Sequence, residues 1–229
     1  MSKRLDKIAS YVKSGKGIVD VGTDHGYIPL MLLARGYEGN VIATDINESP
    51  LSKARACLYN EGYEDRAELI LCDGLEGCNP EKIDTIIVAG MGGDTITGIL
   101  DRAEWCSEKN VSLILQPVTK PEILRYWLTN NEFSIHSDDY VKENGTVYQI
   151  IYAKPGKQKQ YSDAELFVGS FEALKKSEYC EEILAQHIKR FSNAVAGLEN
   201  TERTELKAWK KLMGNILKDL MELYDEYKS

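Results

Sequence analysis

Short β-rich runs that alternate with helix-patterned segments over the first two thirds of this 229-residue chain constrain its fold more than any other feature. Gly17-Ile-Val-Asp-Val-Gly22 reads as a buried strand, and a helical run over residues 27–34 follows it. A strand over 40–45, a helix over 49–60 with Pro50 in its first turn, and strands over 68–72, 85–89 and 111–115 continue the alternation. Strand, helix and strand repeated in this way build a parallel sheet with helices on both faces. After a helix over 121–129, two long alternating segments at 133–138 and 146–153, joined through Glu143-Asn-Gly145, predict an antiparallel hairpin that ends the sheet.

The pattern changes at Lys154-Pro-Gly-Lys-Gln-Lys-Gln160, which sets a boundary between an α/β domain at 1–156 and a helical arm at 157–229. In the arm, Leu206, Trp209, Met213, Ile216, Leu220, Leu223 and Tyr227 recur at spacings of three and four, a heptad seam. A second seam runs through Leu184, Ile188, Phe191, Val195 and Leu198. Its continuation would put Glu202 and Glu205 in apolar positions, so the helix must break near Asn200-Thr201 and fold into an antiparallel coiled-coil hairpin. Heptads suit pairing within one chain or between two, so a monomer or a weak homodimer is expected.

Charge bears on the partner. The net charge of −8 argues against nucleic acid, whose phosphates attract Lys and Arg. The excess acid sits upstream, however: residues 156–229 hold 12 basic and 13 acidic side chains, against 16 and 23 before them. Basic clusters at Lys175-Lys176, Lys189-Arg190 and Lys207/Lys210/Lys211 are either a solvated helix face or a phosphate-binding surface. Apolar runs are too short to span a bilayer and the first residues, Met-Ser-Lys-Arg-Leu-Asp, lack an apolar signal core, so a cytoplasmic protein with no membrane partner is expected. The five scattered cysteines predict reduced thiols, and the dispersed histidines predict no metal site.

The strongest chemical constellation is Asp20-Val-Gly22-Thr-Asp24-His25-Gly26, at the end of the first strand and the start of a helix. Glycine there lets backbone approach a ligand, and the helix start offers free N–H groups. Asp24 stands where a dinucleotide fingerprint wants glycine and would repel a pyrophosphate, which disfavours a nicotinamide-dependent oxidoreductase. A ligand with cationic groups and no phosphate fits better, and S-adenosylmethionine, with its sulfonium and ammonium, is one. Asp45, followed by Ile46, ends the second strand about twenty residues on, where an acid can accept the hydroxyls of a ribose. Asp73-Gly74 repeats that placement at the third strand, within reach of an adenine amino group. The fourth strand ends in Ala89-Gly90-Met91-Gly92-Gly93-Asp94, bare backbone suited to an approaching substrate, and the fifth in Leu115-Gln116-Pro117. Taken singly, Asp24 and Asp45 also read as helix caps, the glycines as a tight turn, and Gln116 as structural.

In that order, Asp-Val-Gly-Thr-Asp-His-Gly-Tyr27, Ala-Thr-Asp45, Cys-Asp-Gly74, Ala-Gly-Met-Gly-Gly93 and Leu-Gln-Pro117, together with Arg4-Leu5 and the helical tail, resemble the TrmK-type bacterial tRNA (adenine(22)-N1)-methyltransferases along nearly the whole chain. The resemblance implies a class I, Rossmann-like methyltransferase fold, S-adenosylmethionine as cofactor, tRNA as substrate, and Gly22, Asp24, Asp45 and Asp73 as cofactor contacts. The Pro-Pro motif of amino methyltransferases is absent, which suits attack by a ring nitrogen. His25, Gly26, Ile46, Gly74, Gly90, Met91 and Gly92 join the expected cofactor lining, and Gly93, Gln116 and Pro117 the substrate rim. Tyr27 is a candidate to stack on an exposed target adenine, and Asp24 or Asp94 to steer the product's proton. Arg4, Lys207, Lys210 and Lys211 are candidates for the RNA backbone. A small-molecule methyltransferase and a non-catalytic coiled-coil binding module on the same scaffold are the competing readings.

Overall fold

The computed structural model describes residues 2–157, 160–199 and 203–229. The chain divides into two compact units, residues 1–159 and 160–229. The first unit runs α1 (Lys3–Ser10), β1 (Gly17–Val21), α2 (Tyr27–Ala34), β2 (Asn40–Asp45), α3 (Glu48–Asn60), β3 (Ala67–Leu71), β4 (Thr85–Gly92), α4 (Gly93–Asp101), α5 (Trp105–Glu108), β5 (Ser112–Thr119), α6 (Pro121–Asn130), β6 (Phe133–Glu143) and β7 (Thr146–Pro155). The seven strands form one sheet in the order β3-β2-β1-β4-β5-β7-β6. β1 to β5 are parallel, and β7 is the reversed strand, antiparallel to both β5 and β6.

Alternation along the central strands builds both cores, because successive side chains leave a strand on opposite faces. Val19, Ile86, Val88, Leu113 and Leu115 pack with Ile96 and Leu100 of α4 and Leu124 and Leu128 of α6. Their neighbours Ile18, Ile87 and Ile114 pack on the other face with Ile8 of α1, Met31 and Leu32 of α2, and Leu58 of α3. All five residues of β1 are buried, as expected for a strand covered on both sides.

The first three strands match their expected spans to within a residue, and β4 to β7 run longer than expected. β4 continues through Gly92 rather than turning at Ala89, with irregular pairing to β5 around Met91. α1, which no sequence pattern singled out, begins at an N-cap where the Ser2 hydroxyl accepts from the Leu5 amide. It docks on β6 through Lys7 to Asp139 (2.8 Å) and through the Tyr11 hydroxyl to Ser137 (2.9 Å) and Asp139.

The second unit contains α7 (Asp163–Val168), α8 (Phe171–Lys175), α9 (Cys180–Gly197) and α10 (Thr204–Lys228). α9 and α10 pack antiparallel, with Glu181 meeting Tyr224 and Lys228 at one end and the Glu199 carbonyl accepting from Lys210 at the other. The expected break at Asn200-Thr201 lies outside the described residues. The hairpin is not alone, since α7 adds Phe167, edge-on to Phe191 at 5.0 Å, and α8 adds the buried Leu174. Burial along the α10 seam centres on Ile216, Leu220 and Leu223, while Trp209 and Tyr227 at its ends are exposed.

Candidate active site

The strand order reverses between β1 and β4, which places a crevice at the carboxyl ends of these strands, where open α/β sheets bind ligands. Two cavities open there, of about 440 Å³ and 320 Å³. They share Gly22, Asp45 and Met91. The larger is lined by Ile46, Asp73, Gly74 and Asp94, together with Thr95, Ile99 and Arg102 of α4. The smaller is lined by Asp20, Thr23, Asp24, His25, Tyr27 and Gly90, with Arg4 and Leu5 of α1. The fold therefore brings together most of the residues expected from the motifs, in two groups joined at Gly22.

Gly22 carries the close approach. Its φ of +72° belongs to the left-handed region, and a Cβ there would lie 2.2 Å from the Met91 Cε. The amides of Gly22 and Thr23 both donate to the Thr44 carbonyl (2.8 and 3.1 Å), which ties the end of β1 to the end of β2. The Thr44 hydroxyl in turn donates to the Gly74 carbonyl at 2.8 Å and holds the β3 loop beside them. Thr44 and Thr23 were part of the motif strings, but their roles became visible only through these bonds.

The electrostatics are acidic and graded. Asp20 is buried and accepts a 2.7 Å hydrogen bond from the Thr23 hydroxyl. Burial pushes its carboxyl up to about 6, against the Thr23 bond and with the Asp45 charge adding to the rise. Asp24 adopts φ +51° and is exposed, 3.6 Å from His25 Nε2, and the His25 ring stacks on Tyr27 at 5.3 Å. Asp45 accepts the Asn47 amide at 2.9 Å through one oxygen. Asp73 pairs with Arg102 at 2.9 Å. Asp94 pairs with Lys120, whose hydrogen bond holds that carboxyl below its ordinary value. Carboxylates at both ends of a joined cleft suit a ligand that carries cationic groups and hydroxyls, and the cations among its lining residues, Arg102 and Arg4, are engaged by Asp73 and Gln116.

Several expected contacts have other partners in the structure. Gly26 faces Ala54 of α3, where an added Cβ would come within 2.9 Å, so its bareness serves helix packing. Gly93 lies against the Lys120 carbonyl, 2.1 Å from where its Cβ would be, so the start of α4 closes on the end of β5. Gln116 and Pro117 are buried in β5 rather than open at the rim. The Gln116 oxygen accepts from Arg4 (2.5 Å) and the Gly90 amide (3.2 Å), and its nitrogen donates to the Pro117 carbonyl. Arg4 is therefore turned inward, toward the cleft. Lys207, Lys210 and Lys211 lie in the helical unit, on α10. Among the described residues no group of three or more metal-binding side chains is placed to hold a metal ion, and the five cysteines are free.

A family profile described as a methyltransferase domain matches residues 1–151. The chain belongs to this methyltransferase family. It is 28% identical over 236 residues to the tRNA (adenine(22)-N(1))-methyltransferase of Bacillus subtilis, spanning 99% of this chain and 96% of that one. The crystal structure of the B. subtilis tRNA methyltransferase TrmK superposes with a TM-score of 0.87 at 25% identity, covering 98% of each chain. The Streptococcus pneumoniae protein Sp1610, solved in complex with S-adenosyl-L-methionine, superposes at 0.82 with 27% identity, covering 98% of this methyltransferase and 99% of that chain. The likeness thus spans both units. Among the described residues no helix of the methyltransferase is long and apolar enough to cross a membrane.

Proposed function

We propose that this protein transfers the methyl group of S-adenosylmethionine to N1 of adenosine 22 in tRNA. The observation that carries the reading is end-to-end similarity to an enzyme of that name, helical unit included, combined with a carboxylate-lined cleft at the strand reversal. Bound S-adenosylmethionine supplies an electrophilic methyl on a sulfonium. In the two cavities Asp45 would accept hydrogen bonds from the ribose hydroxyls, Ile46 and Ile99 would give the adenine apolar cover, and Asp20 and Asp24 would face the ammonium and sulfonium. Adenine N1 has a free lone pair at neutral pH, so the N–C bond forms as the S–C bond breaks, with no base needed beforehand. Catalysis then rests on holding nucleophile and methyl in line.

Of the two carboxylates considered for the product's proton, Asp94 is committed to Lys120, which leaves Asp24, beside the His25–Tyr27 stack. Tyr27, half exposed, is the stacking surface for the target base. Lys207, Lys210 and Lys211 are the phosphate contacts of the helical unit, and the enzyme works in the cytoplasm as a monomer or weak homodimer. Incubation with labelled S-adenosylmethionine and unmodified bacterial tRNA, followed by nucleoside mass spectrometry and mapping, tests the reading. N1-methyladenosine at position 22 supports it; N6-methyladenosine, or cofactor binding without transfer to RNA, overturns it.

A further inference from the structure

Arg4 has the appearance of a surface cation in the sequence, yet its guanidinium is engaged from three sides. It donates to Gln116 Oε1 at 2.5 Å, lies 5.3 Å from the Tyr148 ring centroid, and reaches Glu143 at 3.9 Å. Gln116 is fully buried, and the same oxygen also accepts the Gly90 amide at 3.2 Å. That amide precedes Met91, where the β4–β5 pairing loses its register. Met91 lies against Gly22 and, with Gly22 and Asp45, lines both cavities. A chain of contacts thus runs from α1 through a buried amide to a residue that lines both cavities.

We propose that Arg4 is a positioning residue of the methyl-transfer site: it fixes the Gln116 amide, and through it the Gly90–Met91 turn, so that the Met91 side chain stands at the passage between the cavities. A neutral amide alone can flip about its last torsion, and flipping would present an N–H to the Gly90 amide. The bond from Gln116 Nε2 to the Pro117 carbonyl opposes that flip, and a charged donor on Oε1 opposes it more strongly, because charge-assisted hydrogen bonds are about twice as strong as neutral ones. The Gly90 amide keeps its acceptor, and the irregular stretch of β4 keeps one conformation. The N-terminal helix therefore belongs to the active site, although it precedes the first strand of the sheet.

The proposal rests on the methyltransferase reading for its kinetic arm and stands apart from it in its spectroscopic arm. Arg4→Met retains the aliphatic stem over Tyr148 and removes the donors; Gln116→Met removes the amide; Arg4→Lys retains one charged donor. The Met91 methyl, ¹³C-labelled and assigned with Met91→Leu, is expected to shift or broaden in Arg4→Met and Gln116→Met and to recover partly in Arg4→Lys. An unmoved Met91 signal in folded Arg4→Met overturns the proposal whether or not the protein methylates tRNA. In turnover, Arg4→Met should lower kcat about tenfold or more, a size typical of small misplacements, while the KM for tRNA stays within about twofold. The double variant should lose no more than the worse single one, since both changes cut one chain of contacts. Losses that multiply, or a raised tRNA KM with unchanged kcat and a shallower salt dependence, would make Arg4 an RNA-phosphate contact instead.

Discussion

Lowering the pH from 7 to 5 is expected to weaken binding of S-adenosylmethionine about tenfold, and the weakening traces to Asp20. Its carboxyl, buried at the end of β1, titrates at about 6 rather than 3.8. A sulfonium and an ammonium nearby favour the ionised form, so binding at low pH must first displace the proton that the free protein holds. With a value near 6, about nine tenths of the free molecules are ionised at pH 7 and about one tenth at pH 5, which sets the tenfold ratio. An ordinary carboxylate would be ionised at both pH values and give no change. The ligand's α-amino group keeps its charge across this window, since such amines titrate near about 8. Asp20→Asn should bind weakly at each pH, with no slope. Titration calorimetry of both proteins at pH 5, 6 and 7 reads the effect directly. A level wild-type affinity, or a slope that survives in Asp20→Asn, refutes the reasoning. The shift also has a stability consequence. The folded state binds this proton more tightly than the unfolded chain does, so without ligand, stability falls as pH rises from about 4 to about 6. Two units amount to roughly 3 kcal/mol, so Asp20→Asn should resist denaturant better than wild type at pH 8 and differ little from it at pH 4.

Gly22→Ala, which meets both the +72° φ and the Met91 methyl, should weaken cofactor binding at least about tenfold and lower the Tm, read by calorimetry and thermal unfolding. Reversing the charge of Lys207, Lys210 and Lys211 should raise the tRNA KM and flatten its salt dependence while S-adenosylmethionine binds as before; unchanged kinetics would remove the helical unit from RNA contact. Arg125 is fully buried and donates through Nε (3.1 Å) and Nη2 (2.7 Å) to Asp138 Oδ1, with a further bond to Gln149. Arg125→Ala removes the guanidinium paired with a buried carboxylate and should cost about 3–5 kcal/mol in denaturant unfolding at pH 7.

The strands and the order of the site motifs were legible because they depend on neighbours a few residues apart. Apolar runs such as Ile18-Val19 and Ile86-Ile87-Val88 must be buried wherever the chain goes, and a glycine or aspartate that ends a strand marks its turn locally. Asp20, Gly22, Asp24 and Asp45 follow from that logic, since parallel strands in a sheet covered by helices put all their carboxyl ends on one edge. The direction of a side chain at that edge is a different matter. Arg4 points inward because Gln116, 112 residues away, waits there with an oxygen that also serves Gly90. Gly26 and Gly93 are bare because α3 and the end of β5 approach them, partners that spacing along the chain does not name. Trp209 continues a perfect heptad and is still exposed, because burial on a hairpin depends on what the facing helix covers there. Hydrophobic periodicity acts over one or two turns, and so it settles which elements form; the partners of polar and small side chains are set by the path of the whole chain, and only the folded molecule contains it.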